Sequence, residues 1–329
     1  MCPADDAVGA RVSPPSLTAS RSEELRVAAE ILGDRAAHEW PIGPMTTYRV
    51  GGAAALYLEL QDDDDVDLAR RAVAASGVGV LVVGKGSNLL VSDRGFAGLA
   101  VSLGQGFAGI DLLDGARVRA GGAVSLPVLA RRTAAASLTG FEWAVGVPGS
   151  VGGAVRMNAG GHGSDMSRTL VSYRFADLLG GPDGDADATV LDHHYRSSAL
   201  LPHQVVLSAE MQLAPGDRAT SEAEISDIVR WRREHQPGGQ NAGSIFTNPA
   251  GDSAGRLVES VGMKGHRRGS AYVSPKHANF FQAEDGGSAD DVRDLIEEVR
   301  QRVEEQTGIR LTPELRMVGF DQETGPAAP

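Results

Sequence analysis

Five short segments carry residue types that can do chemistry together. Two are glycine-rich: Gly84-Lys85-Gly86-Ser87-Asn88, and Val147-Pro148-Gly149-Ser150-Val151-Gly152-Gly153 with its continuation through Asn158 and Gly160 to Gly163. A glycine turn after a strand lets backbone N–H groups close on a phosphate, because no Cβ blocks the approach. Neither segment is a dinucleotide fingerprint: Leu89-Leu90-Val91 follows the first, and that run is strand-like rather than the opening of a helix. No Gly-Lys-Ser/Thr ends a six-residue spacer, so a P-loop is excluded as well. The first segment alone reads equally well as a plain tight turn. The second is dense enough in glycine to favour a ligand lying against backbone, with a structural loop as its alternative.

The other three are Tyr195-Arg196-Ser197-Ser198, Asn241-Ala242-Gly243-Ser244-Ile245-Phe246-Thr247-Asn248-Pro249 and Leu311-Thr312-Pro313-Glu314-Leu315-Arg316. They offer a guanidinium beside hydroxyls, a hydroxyl in a tight turn, and a carboxylate and a guanidinium two apart on one strand face. Taken singly, each also reads as an ordinary surface Arg, turn Ser or surface ion pair.

The elements that must position these groups are legible in outline. Ser22–Leu32 reads as a helix capped by Ser22, and Asp62–Asp65 as the acidic start of another. Gly79–Val83 is a strand running into Gly84, Leu56–Leu60, Leu99–Leu103 and Ala116–Ala120 are further strands, and Ser125 caps a helix. Val171–Leu178 and Thr189–Asp192 flank a hairpin signal at Gly180–Gly184. The alternation over Val205–Leu213 predicts a half-buried strand, and Ala214-Pro215-Gly216-Asp217 a domain boundary. Thr220–Glu234 reads as a helix. Ser288 with Asp291 forms a capping box ahead of the stripe Val292, Leu295, Ile296, Val299, Val303. Arg310–Gly319 reads as a closing strand.

The 329 residues suffice for two or three domains, and 42 of them are glycine, well above the usual share of roughly 7%. A net charge of −12 argues against a general nucleic-acid binder. Cys2 is the sole cysteine, so no internal disulfide forms. No run approaches the roughly 18 apolar residues of a membrane span, and Met1–Ser20 has no apolar core of a signal peptide. The expected location is the cytoplasm, with disordered tails over 1–21 and 321–329, no metal site, and a monomer as the default.

Together and in this order the segments resemble the UDP-N-acetylenolpyruvoylglucosamine reductase family. The resemblance runs from Pro44-Met45-Thr46-Thr47-Tyr48-Arg49-Val50-Gly51-Gly52 to Gly319 and includes Met157-Asn158-Ala159-Gly160, Tyr195-Arg196, Gly243-Ser244, Lys264-Gly265 and Pro313-Glu314-Leu315-Arg316. It implies an α+β fold: a PCMH-type FAD-binding region of two α+β subdomains over 22–214, then a smaller α+β substrate domain over 215–320. It also implies non-covalent FAD, NADPH as co-substrate and a UDP-sugar as substrate. The reaction is reduction of the enolpyruvyl group of UDP-N-acetylglucosamine enolpyruvate to UDP-N-acetylmuramate, in peptidoglycan precursor synthesis.

The resemblance also implies roles. Hydride addition to the methylene carbon leaves an enolate-like charge, which Arg196 would stabilise, Glu314 would help polarise, and Ser244 would quench by giving a proton. Gly84, Lys85, Gly86, Ser87, Asn88, Gly149, Ser150, Gly152, Gly153, Asn158 and Gly160 would hold FAD. Tyr195, Asn248, Lys264 and Arg316 would contact substrate. Two positions depart from the family pattern: His235 precedes Gln236-Pro237 where Lys is common, and Thr247 also stands where Lys is common. His235 would make diphosphate binding pH-dependent. The short span from Arg196 to Ser244 resembles the subtype without a tyrosine-bearing lid. The alternatives are another PCMH-type FAD oxidoreductase, such as a sugar or lactone oxidase, and a non-catalytic nucleotide-sugar binder.

Overall fold

A computed structural model gives the structure of residues 17–320. Cys2, most of the expected tail over 1–21 and the expected tail over 321–329 lie outside the described residues. Helix α1 spans Leu17–Leu32, so Ser22 lies inside it rather than at its cap.

Next come β1 (Ala37–Trp40), β2 (Ala54–Leu60), α2 (Asp63–Ser76), β3 (Val80–Val82), β4 (Leu89–Val91) and β5 (Phe96–Leu103). Four of these strands form a sheet in the order β1-β2-β5-β3, with β5 parallel to β2 and β3. Helix α2 starts where the acidic run predicts: the Asp62 carboxylate accepts from Asp65 N at 3.0 Å, and Gly77 closes the helix at φ +72°. Asp65 is fully buried, where it accepts from Gln61 N at 2.8 Å and pairs with Arg35. Leu56, Leu58, Leu60, Val66, Val73 and Leu99 form the first core with Leu32 of α1.

The middle of the chain contains β6 (Ile110–Leu113), β7 (Arg117–Gly121), α3 (Leu126–Ala135), β8 (Leu138–Thr139), α4 (Val151–Met157), β9 (Gly160–Gly161), β10 (Ser164–Asp165), β11 (Leu170–Asp177), β12 (Gly184–Asp187), β13 (Gln204–Gln212), β14 (Ala214–Pro215) and α5 (Arg218–His235). Its main sheet is antiparallel, in the order β12-β11-β13-β7-β6. The hairpin forms, but β11 pairs with Gly184–Asp187. Residues 188–191 turn instead into a 3-10 helix, because Asp187 Oδ1 accepts from Thr189 N at 2.8 Å and ends the strand. Strand β13 is not half-buried. Val206, Ala209 and Met211 enter the second core, while Val205 and Leu207 face the first. Both faces are covered because β13 runs between the two units. Ile225 and Ile228 of α5 also enter the second core, so the boundary expected at Pro215 falls inside this packing.

The last part comprises α6 (Ala254–Ser260), β15 (Arg267–Arg268), β16 (Ala271–Val273), β17 (Phe281–Ala283), α7 (Ala289–Thr307) and β18 (Arg316–Val318). The α7 stripe Val292, Leu295, Ile296, Val299, Val303 is fully buried, each side chain stabilising the fold by about 1.5–3 kcal/mol. Ser288 Oγ caps α7 by accepting from Asp291 N at 3.1 Å. The reciprocal half of the capping box is replaced, because the Asp291 carboxylate accepts from Ser270 N at 2.7 Å. The closing strand is shorter than Arg310–Gly319. It pairs parallel to β4, with Arg316 opposite Leu89. This pairing is what brings the C-terminal end of the chain to the Gly84–Asn88 turn. Tyr48, fully buried, adds a second tie by donating to Phe281 O at 3.1 Å. Among the described residues no helix is long and apolar enough to cross a membrane.

Candidate active site

The two glycine segments meet face to face. A Cβ on Gly84 would stand 2.9 Å from Ser150 Oγ, and one on Gly149 would touch Ser87 Oγ at 3.6 Å. Gly86 has φ +61°, and a Cβ there would meet the Thr46 backbone at 2.5 Å. Only glycine fits that turn. Thr47 N donates to Gly86 O at 3.1 Å, so the Pro44–Gly52 segment is the floor beneath the turn. Ser150 caps α4 by accepting from Gly153 N at 3.3 Å.

Between the segments lies a cleft with about 570 Å³ of empty space, walled by Val82, Val83, Leu103 and Val206 and edged by Gly84, Lys85, Ser150, Gly152, Gly153 and Arg156. A Cβ on Gly152 would come within 3.0 Å of Val206 O. Apolar walls, close backbone and cations at the edge suit a ligand that is flat and apolar in part and anionic in part. FAD has that character, so these residues fit the cofactor that the sequence implies.

Beyond the cleft, Arg196, Tyr195 and Glu314 converge. Tyr195 Oη donates to Glu314 Oε1 at 3.1 Å, and Arg196 Nε lies 3.5 Å from Glu314 Oε2. Arg196 is aimed from its other side by the carbonyls of Gly160 (2.8 Å) and Asn158 (3.4 Å). The Glu314 side chain is only 10% exposed, and burial raises its pKa above the ordinary carboxyl value against the opposing pull of Arg196 and Tyr195. Burial raises the Tyr195 phenol as well, with the Glu314 charge adding to it.

Backbone conformation here is unusual. Asn158, His162, Asp192 and Arg196 all have positive φ, from +38° to +54°, on the two segments that flank the site. Non-glycine residues hold such angles only where surrounding contacts impose them. Asn158 supplies several. Its amide donates to His194 O at 3.1 Å and accepts from Ser167 N at 3.0 Å, tying the loop of Tyr195 and Arg196 to the end of α4.

Ser244 precedes the residue that ties its segment to the Glu314 backbone. Glu314 N donates to Ile245 O at 2.8 Å, and Ser244 bridges to Phe280. Gly243, at φ +81°, turns Ser244 outward, and the Asn241 side chain accepts from Gly243 N at 3.0 Å to hold that turn. The Ser244 hydroxyl has no protein partner among the described residues, so its proton is available to a ligand. Asn88 donates to Glu314 O at 3.0 Å, and Arg316 N to Asn88 O at 3.2 Å, which stitches the first glycine turn to the Glu314 segment.

Three expected contact residues are engaged by local partners. Lys264 pairs with Glu259 at 2.9 Å. Asn248 accepts from Ala254 N at 3.0 Å and so holds the start of α6. His235 is engaged within α5, its Nδ1 donating to Trp231 O at 2.8 Å and its ring stacked on Trp231 at 4.7 Å. Thr247 is likewise occupied, donating from N to Thr312 O at 3.0 Å.

Sequence reasoning misses Asn279 and Arg156. Asn279 is buried and imitates a strand: its amide oxygen accepts from Phe246 N at 3.0 Å, its nitrogen donates to Phe246 O at 2.8 Å, and its own carbonyl accepts from Ile245 N at 2.9 Å. It therefore holds the segment that presents Ser244. Asn279→Ala leaves a buried donor and a buried acceptor of Phe246 unpaired and is expected to cost about 2–6 kcal/mol, at about 1–3 for each group. The midpoint of urea unfolding measures this.

Two family models match the chain. An FAD binding domain covers residues 54–181, and the C-terminal domain of UDP-N-acetylenolpyruvoylglucosamine reductase covers 235–318. The UDP-N-acetylenolpyruvoylglucosamine reductase of Paramagnetospirillum magneticum is 38% identical over 313 residues, 93% of this chain and 99% of that protein. Its namesake from Anaeromyxobacter dehalogenans is 40% identical over 297 residues, 89% of this chain and 87% of that protein. The crystal structure of the Thermus caldophilus reductase aligns with a TM-score of 0.74 at 31% identity, covering 85% of this chain and 98% of that one. Matches that span both glycine segments and the Arg196–Glu314 pair, at this identity and over this length, establish that the chain belongs to the UDP-N-acetylenolpyruvoylglucosamine reductase family.

Proposed function

We infer that this chain catalyses the NADPH-dependent reduction of UDP-N-acetylglucosamine enolpyruvate to UDP-N-acetylmuramate in peptidoglycan precursor synthesis. Family membership along nearly the whole chain supports it. The observation that carries it is the contact of Tyr195 and Arg196 with Glu314, on a segment whose backbone is tied both to the residue after Ser244 and to the first glycine turn. Bound FAD supplies a relay of hydride from NADPH to the enolpyruvyl double bond.

The protein side chains do the rest. Arg196 faces the charge that develops on the substrate, in a setting where fixed donors act strongly. Glu314 polarises the same group, and Ser244 delivers the proton that completes the reduction. Lys264, Asn248, Arg316 and Tyr195 bind the UDP-sugar. Lys85 and the backbone of Gly84–Asn88, Gly149, Ser150, Gly152 and Gly153 hold FAD without a covalent bond. Asn158 and Gly160 serve that centre through Arg196, by the carbonyls that aim it. We place the division between the FAD-holding region and the substrate domain after α5, which keeps Ile225 and Ile228 with their core. Every group named comes from one chain, so a monomer suffices, and the cytoplasm holds both the NADPH and the UDP-sugar pools.

The test is NADPH oxidation with and without the UDP-enolpyruvyl sugar. A yellow protein that consumes NADPH at a substantially higher rate when the sugar is added, and releases its flavin on denaturation, supports the reading. A protein that binds the sugar without turnover, or oxidises free sugars instead, overturns it.

A further inference from the structure

Arg156 is a partly buried cation of the cleft whose charge no carboxylate among the described residues answers. It lies on α4 one turn beyond Gly152 and Gly153, so the three share the helix face that lines the cleft. Its Nη1 donates to Leu201 O at 2.7 Å, which fixes the guanidinium without neutralising it. Among the described residues no carboxylate pairs with it, and no Asp or Glu lines the cleft. Burial, with the Arg316 charge adding to it, lowers the Arg156 pKa to about 10. A partly buried charge held beside a like charge is costly unless an anion completes the site. In a chain of net charge −12, a cleft lined by Lys85 and Arg156 and by no acid concentrates positive potential in one place.

We propose that Arg156 is a cofactor-binding residue whose guanidinium holds the diphosphate of FAD against the glycine edges of the cleft. The proposal rests on the FAD reading above. The diphosphate is the part of that cofactor with permanent negative charge, and it is the part that close-approaching backbone accommodates. Gly84, Gly152 and Gly153 bring backbone to it, and Arg156 brings the charge. A guanidinium meets two phosphate oxygens with a rigid planar fork of parallel N–H donors, a geometry that an ammonium lacks.

The full chain loaded with FAD tests this by release of flavin on dilution and by its displacement with ADP, which has a diphosphate but no flavin. Arg156→Met is expected to weaken both FAD and ADP by about 10–100-fold, the loss of one charge-assisted contact. Arg156→Lys is expected to recover part of that for both ligands. The flavin midpoint potential, read by spectroelectrochemistry, stays at the wild-type value. Unchanged FAD and ADP affinity in Arg156→Met overturns the proposal. So does a shifted potential with ADP affinity unchanged, which would place the guanidinium at the flavin ring. A wild-type protein that retains no FAD at all sinks the cofactor reading instead, and the two failures are thereby distinct.

Discussion

Ser244→Ala is expected to slow reoxidation of the flavin by the UDP-enolpyruvyl sugar by about 10²–10⁴-fold, the range of a lost general acid, while NADPH reduces the flavin at nearly the wild-type rate. The asymmetry follows from where the hydroxyl sits. Ser244 is exposed, it follows Gly243 at φ +81°, and among the described residues its hydroxyl carries no protein hydrogen bond. Removing it disturbs no packing. In the proposed role its only loss is the proton for the substrate carbon, which is needed after hydride has arrived and not while NADPH is being oxidised. A serine hydroxyl is a weak acid, so position must compensate, and the Asn241 and Asn279 contacts supply that position. Stopped-flow spectroscopy resolves the two half-reactions. Equal losses in both would remove Ser244 from the proton-donor role.

Some of this architecture is written locally and some is not. The start of α2 is legible because Asp62 and the following carboxylates act within one turn, and the stripe of α7 because its five apolar residues repeat at the helical period. The Gly84–Asn88 turn is legible as well, since its glycines answer a steric demand from Thr46 and Ser150. The double burial of β13 is not, because Val205 and Leu207 meet a core most of whose residues lie more than a hundred positions earlier. The same holds for α5, whose Ile225 and Ile228 enter the core built by earlier elements and not one built by the sequence that follows them.

The site divides along the same line. Arg196, Ser244 and Glu314 are visible as residue types in recognisable surroundings, but their meeting depends on β18 pairing with β4 and on Glu314 N reaching Ile245 O. Arg156 is invisible because an Arg in mid-helix looks like a surface cation until Gly152 and Gly153 are seen on the same face of α4. His235 illustrates the reverse. By type it suggests a pH-dependent phosphate contact, whereas its ring nitrogen is engaged with Trp231 inside α5.

Glu314→Ala is expected to lower the same oxidative half-reaction by about 10²–10³-fold, the scale of a lost donor to developing charge, and Glu314→Gln is expected to reveal how the carboxyl acts. The substrate gains negative charge as hydride adds, so an ionised carboxylate facing it would repel, whereas a protonated one donates a hydrogen bond. Burial raises the Glu314 pKa, against opposition from Arg196 and Tyr195. The proton is therefore kept to higher pH than on an exposed carboxyl, and it leaves as pH rises through the raised value. The wild-type half-reaction should slow along that limb. Stability follows the same sign, since a raised folded-state pKa stabilises most fully below the unfolded value, and that contribution fades as pH climbs past the folded one. Glutamine is neutral at every pH and has an amide that can still donate, so the Glu314→Gln rate should be reduced but flat across the limb. Glu314→Ala should be lower and equally flat. A limb that persists unchanged in Glu314→Gln would assign the titration to another group and leave Glu314 as the partner that orients Tyr195 and Arg196 through its contacts at 3.1 and 3.5 Å.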